Sequence, residues 1–118
     1  MWVVDPLLDQ AFNVIDAWGF KYKTVGFTWA KTNRKKMGFF TGLGYWTRGN
    51  PEMCLLATKG KPKRLNKSIP QLVVSQRQEH SRKPDIVYNH IEKMLEGPYI
   101  ELFARRKREG WNSWGNEV

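Results

Sequence analysis

The sequence predicts an α/β fold, and three observations carry that reading. Runs such as FKYKTVGFTWAKT (20–32) and PYIELFA (98–104) are rich in the β-branched and aromatic residues that suit a pleated surface. Two other segments, around 7–18 and 86–95, repeat their apolar residues at helical spacing. The order along the chain is strand, helix, strand, loop, strand, strand, helix, strand. That succession implies a sheet with largely parallel pairing toward its end, joined by right-handed crossings. At 118 residues the expected organisation is one domain, 1–118.

Trp2, Val3 and Val4 read as a short buried strand. Asp5-Pro6 then reads as an N-cap followed by proline at the first helical position, where its missing N–H costs nothing. Leu7, Leu8, Ala11, Phe12, Ile15 and Trp18 make one helix face, and Gly19 is the stop. The strand 20–32 follows. Residues 33–50 fit neither period, so they are expected to form a long functional loop. Pro51–Thr58 reads as a strand and Lys59–Lys67, KGKPKRLNK, as a solvated basic turn that grazes a phosphate backbone at most. Leu72, Val73 and Val74 open a further strand. Pro84 then starts a helix whose stripe of Val87, Ile91, Met94 and Leu95 belongs to the core, with Gly97 ending it. Pro98–Ala104 is the last long strand, buried over 100–103, and RRKREG leads on to Trp111 and Trp114.

Composition narrows the function classes. Hydrophobic residues at 41% and aromatics at 14% exclude a disordered chain. Twenty lysines and arginines against eleven acids leave a formal charge of +9, which favours polyanionic partners and nucleic acid first. One cysteine, Cys54, excludes an internal disulfide framework and a thiolate zinc cluster. His80 and His90 lack companion ligands, so no metal site is expected. With no signal-peptide pattern and no apolar run long enough for a bilayer, the expectation is a soluble cytoplasmic protein.

Three stretches carry candidate chemistry. In QLVVSQRQEHSRKPD (71–85) a strand runs into a basic loop at a helix N-terminus, where Arg82 and Lys83 oppose the helix dipole. Free backbone N–H groups beside a lysine make an anion seat, and the other reading is a solvated loop. In NRKKMGFFTGLGYWTRGN (33–50) four basic residues interleave with Phe39, Phe40, Tyr45 and Trp46. Either these stack on bases with the cations on phosphates, or the aromatics pin the loop to the body. In the tail, Glu117 lies beyond a strand and a loop, where a carboxylate can accept from ribose hydroxyls, and Asn116 beside it can do the same. The glycine-rich fingerprint of dinucleotide folds is absent, the loop being ARRKREG.

Five motifs occur in one order: WAKTN (29–33), TGLGYWTRGNPEMCLLATKGKP (41–62), HSRKPD (80–85), YIELFARR (99–106) and GWNSWGNE (110–117). This series resembles the adenine methyltransferase family that includes the catalytic subunit of the mRNA adenosine methyltransferase, together with phage and bacterial DNA adenine methyltransferases. The short loop between Arg105 and Trp111 is more similar to the phage and bacterial members. The resemblance implies a Rossmann-like fold, S-adenosylmethionine as cofactor, and methyl transfer to the N6 amine of adenine in nucleic acid, DNA ahead of RNA. By position it implies cofactor contacts from Lys83 (the methionine carboxylate), Arg105 (the ribose), and Asn116 and Glu117 (ribose or adenine). It implies substrate-side roles for Trp29 and Glu52, near the acceptor adenine, and for Tyr45, Trp46, Asn50, Ser81 and Arg82.

The family's Asp-Pro-Pro-aromatic signature, which orients the adenine amine, is absent. Asp5-Pro6-Leu7-Leu8 lacks the second proline and the aromatic, and is read as a helix start. The chain therefore resembles the C-terminal two-thirds of such an enzyme, N-terminally incomplete, with no catalytic residue assigned and little turnover expected by itself. The alternative is a non-catalytic basic nucleic-acid-binding module or a degenerate relative.

Overall fold

The long strand expected at 20–32 is the middle of a sheet. A computed structural model describes residues 1–79 and 82–118, and His80 and Ser81 lie outside the described residues. The elements are β1 (Trp2–Val3), a 3-10 turn (Asp5–Leu7), α1 (Leu8–Ala17), β2 (Lys21–Thr32), β3 (Glu52–Thr58), β4 (Leu72–Gln76), α2 (Asp85–Met94), β5 (Tyr99–Leu102) and β6 (Trp111–Trp114). The first four-stranded sheet has the order β1-β3-β2-β4, and β5 and β6 form a separate parallel pair. β3 runs antiparallel to β1 and β2, whereas β4 runs parallel to β2. The fold is mixed α/β.

Each face of the first sheet has its own core, and a bulge in β2 divides them. Val25 pairs with Leu55 and Phe27 with Cys54, so Gly26 is an extra residue opposite the β3 backbone. A side chain at Gly26 would begin 3.2 Å from the Cys54 carbonyl, which is why glycine suits the bulge. Residues two apart in a strand normally share a face. Here the bulge sends Val25 to the cluster of Val3, Ala11, Ile15 and Leu55 under α1. It sends Phe27 and Trp29 to the cluster of Val73 and Val87 under α2, which Trp2, Ile91 and Met94 extend. The bulge thus puts Trp29 on the face where α2 begins.

A carboxylate and aromatic box fastens the second sheet to α2. Trp111 stacks on Tyr99 with ring centres 4.9 Å apart and meets Tyr88 edge-on at 5.2 Å. Its indole N–H donates to Glu92 at 2.6 Å, and Tyr88 donates to Glu101 at 2.9 Å. Arg108 completes the box, donating to Asn89 at 2.8 Å and to Glu92 at 3.4 Å.

Four expectations need correction. Val4 is not part of the buried first strand: it falls outside β1 and is exposed. Asp5 is not an N-cap: it lies inside the 3-10 turn, Val4 holds the cap position, and no side-chain cap bond forms. The strand around 100–103 is not buried, since Ile100 is 58% and Phe103 73% exposed. The reason is that α2 covers only the face carrying Tyr99 and Glu101, as the alternating burial of β5 shows. The segment Trp111–Trp114, expected as a tail, is a strand paired with β5 from Tyr99↔Trp111 to Leu102↔Trp114. Among the described residues no helix is long and apolar enough to cross a membrane.

Candidate functional site

The site grows from the end of β2 and the start of β3. Glu52 pairs with Trp29 in the register. Its carboxylate accepts from Lys31 at 3.0 Å and from Lys83 at 3.1 Å, and all three side chains are about one-fifth exposed. Burial alone would raise the Glu52 carboxyl, but the hydrogen bonds and charges of Lys31 and Lys83 outweigh it and hold the group below its ordinary value. Two indoles wall the cluster. Lys31 Nζ lies 5.3 Å from the Trp29 ring centre and Lys83 Nζ 5.5 Å from that of Trp2. Trp2 and Trp29 meet edge to face at 6.4 Å. Trp29 is only 2% exposed and its indole N–H donates to the Ser75 carbonyl at 3.1 Å, so it forms the floor of the site.

The charge conflict seen in the sequence at the start of α2 is resolved in space. Pro84 is buried with extended backbone, and Asp85 occupies the first helical turn, where the dipole favours a carboxylate. Asp85 pairs with Arg82 at 3.3 Å and with Arg106 at 3.3 Å, while Arg82 also approaches Glu79 at 3.7 Å. Lys83 turns the other way, to Glu52. Neither cation faces the dipole uncompensated. Arg82 Nε is buried without a partner among the described residues. Ser81, expected on the substrate side, and His80 fall outside the described residues.

The Arg106–Asp85 pair brings the loop after β5 to within two residues of Lys83 in sequence. On that loop Arg105 Nε donates to Glu117 at 3.0 Å, both side chains being about half exposed. Asn116 and Glu117, with Phe103, Ala104 and Trp114, line a shallow hollow of about 190 Å³. That is below the roughly 300 Å³ at which small-molecule pockets begin, so it suits part of a ligand. Its shape depends on two backbone features. Phe103 holds a left-handed φ of 59°, and such strain collects at functional sites. At Gly115 a side chain would begin 2.7 Å from the Ala104 carbonyl, so only glycine lets the two segments close.

The loop 33–50 is built differently on its two flanks. Asn50 is committed to the backbone: it accepts from Lys31 N at 3.0 Å and donates to Lys31 O at 2.9 Å and to the Phe40 carbonyl. Arg34 donates to the carbonyls of Arg77 and Gln78, and Arg77 stacks over Phe40 at 4.2 Å. Phe40 therefore does pin the loop. The tip stands clear, with Trp46 91%, Tyr45 76% and Leu43 94% exposed. The structure thus brings Trp29, Glu52 and Lys83 together, ties Arg82 through Asp85 to Arg106 on the loop after β5, and gathers Arg105, Asn116 and Glu117 on that loop's side. Tyr45 and Trp46 remain on the open tip. Lys31 and Trp2 went unnoticed in the sequence. Lys31 sits inside the WAKTN motif, two residues from Trp29 on the same strand, and that period was the available signal. Trp2 offered none.

The MT-A70 family profile matches residues 1–117. The chain is 36% identical over 121 residues to a type II methyltransferase, M.MunI, of Mycoplasma sp, covering all of this chain and 49% of that one. It is 34% identical over 123 residues to a putative N(6)-adenosine-methyltransferase MT-A70-like protein of Medicago truncatula, covering 100% and 20%. It is 29% identical over 123 residues to the human N(6)-adenosine-methyltransferase catalytic subunit METTL3, covering 100% and 21%. The chain spans about half the length of the first of these relatives and about one-fifth of the others.

Proposed function

Given that the chain belongs to the MT-A70 family, we propose that it is the cofactor-holding part of an S-adenosylmethionine-dependent, Rossmann-like methyltransferase acting on the N6 amine of adenine in DNA. The observation that carries the reading is the Arg106–Asp85 pair at 3.3 Å, which, with the Arg105–Glu117 pair at 3.0 Å, gathers residues 82–85 of the HSRKPD motif with the YIELFARR–WGNE motif. Ligands of open α/β sheets bind outside the carboxyl ends of the parallel strands, and both motifs follow such ends.

The side chains present fit the cofactor. Lys83 supplies a cation for its carboxylate, and the close approach of Gly115 to Ala104, which a Cβ would block, shapes the hollow beside it. Asn116 and Glu117 face the hollow with groups suited to a ribose or an adenine edge. When bound, S-adenosylmethionine supplies an electrophilic methyl on a sulfonium. The chain's own residues do the positioning. Glu52 keeps Lys83 extended over Trp2 before a ligand arrives, and Arg105 holds Glu117 in place. Trp29 excludes water beneath the site. The exposed Tyr45 and Trp46 offer stacking faces, with Arg48 beside them for phosphate.

Calorimetry of the full chain with S-adenosylmethionine tests this. Lys83→Ala is expected to weaken binding by roughly 1.5–3 kcal/mol, the value of a hydrogen bond to a charged group. Absence of binding by the wild-type chain would remove the cofactor reading. Unchanged affinity in Lys83→Ala would remove Lys83 alone. Methyl transfer to DNA is expected to be negligible without an Asp-Pro-Pro-aromatic segment, and RNA of the same sequence is the control for substrate class.

A further inference from the structure

Two groups of cations in this chain contrast. Near the site, Lys31, Arg82, Lys83, Arg105, Arg106 and Arg108 are all ion-paired with acids. At the far end of β2 and β3 the pattern reverses. Lys21 and Lys23 are exposed at the start of β2, and Lys21 pairs in register with Thr58 at the end of β3. Lys59 Nζ lies 3.6 Å from where a side chain at Gly19 would begin, which closes the turn onto this corner. Lys61, Lys63, Arg64 and Lys67 continue the patch, all exposed. The turn is anchored at its middle, where Leu65 N donates to the Met94 carbonyl at 2.8 Å. Among the described residues none of these seven cations has an acid within 4.0 Å.

We propose that this corner is a second docking surface for the phosphodiester backbone of the same nucleic acid, remote from the reacting adenine. It rests on the nucleic-acid reading above and adds a place and a length to it. α2 leads from Lys83 to the Leu65 anchor over ten residues, about 15 Å at 1.5 Å per residue. β2 leads from Trp29 back to Lys21 over eight residues, roughly 26 Å at about 3.3 Å per residue. A duplex rises 3.4 Å per base pair, so the patch meets phosphates about four to eight base pairs from the target. Cations already held by acids contribute little to counterion release, whereas these seven contribute in full. Leu65 is the one large apolar side chain in 59–67, too little to insert into a lipid surface, which favours nucleic acid over membrane.

The test uses the full 118-residue chain. Fluorescence anisotropy measures binding to hairpin duplexes of about 6 and about 20 base pairs over roughly 50–200 mM salt. The expected result is a steeper salt dependence for the longer duplex. Replacing Lys61, Lys63, Arg64 and Lys67 by glutamine should flatten that slope by about 3 and weaken the long duplex about tenfold or more. The short hairpin and the thermal midpoint should hardly change. Equal slopes for both hairpins, or a variant that binds the long duplex as well as wild type does, overturns the remote contact while leaving the nucleic-acid reading intact. Failure of wild type to bind either hairpin overturns both. Loss of binding to phosphatidylserine vesicles, with duplex binding kept, assigns the patch to lipid and overturns the proposal.

Discussion

Replacing Glu52 by glutamine isolates the centre of the candidate site. The side chain keeps its shape and one acceptor oxygen but loses its charge between Lys31 and Lys83, which stand 3.0 and 3.1 Å away. Hydrogen bonds to charged groups are worth about 1.5–3 kcal/mol each when well shielded. A site about one-fifth exposed keeps part of that, and the amide oxygen retains a weaker bond, so the net loss is about 2 kcal/mol. For a domain this size each kcal/mol moves the thermal midpoint by about 4 °C, giving a fall of about 8 °C at neutral pH. The pH dependence follows from the depressed Glu52 carboxyl. Its contribution is complete above the ordinary value of 4.5 and is lost as pH falls through the lower, folded-state value. The gap between wild type and Glu52→Gln should therefore close in acid. Calorimetric scans at a series of pH values measure it, and a double-mutant cycle with Lys83→Met should return a coupling of about 1 kcal/mol. A midpoint within about 2 °C of wild type at neutral pH, or a gap that persists in acid, would refute the claim that Glu52 organises the two lysines.

Burial, and then the hydrogen bond to Glu101, push the Tyr88 hydroxyl up to about 12. Stability from this group is complete below its ordinary value of 10 and lost as pH rises through about 12, so Tyr88→Phe should flatten the alkaline limb in denaturant titrations. Gly115→Ala must separate 103–104 from 115, weakening the bond from Ala104 N to Trp114 O. It should cost about 1–3 kcal/mol of stability and weaken S-adenosylmethionine binding in calorimetry, and unchanged affinity would detach the hollow from the cofactor. Phe27→Ala, at a position 3% exposed between the sheet and α2, should cost about 3–5 kcal/mol in chemical denaturation; a loss below about 1 kcal/mol would mean that α2 packs elsewhere.

The helices were legible because their apolar positions repeat over several turns, as Ala11 and Ile15 do in α1 and Val87 and Ile91 in α2. The long β2 was legible from its β-branched and aromatic content. β6 was not, because WNSW is four residues long and gains strand character only from the backbone of β5. The burial of β5 is not legible for a related reason, since a run of apolar residues does not say how many faces are covered. In the candidate site, the motif order by itself marks Lys83, Glu52, Arg105 and Glu117. Neither the partner of Lys83 nor that of Arg105 was readable.

The sequence by itself determined the α/β succession, the basic character and the family-like order of five motifs. These depend on neighbours along the chain and on composition. Tertiary structure alone decided that Gly26 turns Phe27 and Trp29 toward α2, and that Glu52 sits between lysines 21 and 31 residues away. It alone decided that Asp85 relieves the charge conflict at the start of α2. Coulomb and hydrogen-bond partners are chosen by separation in space, and residues that far apart along the chain leave no periodic trace of having met.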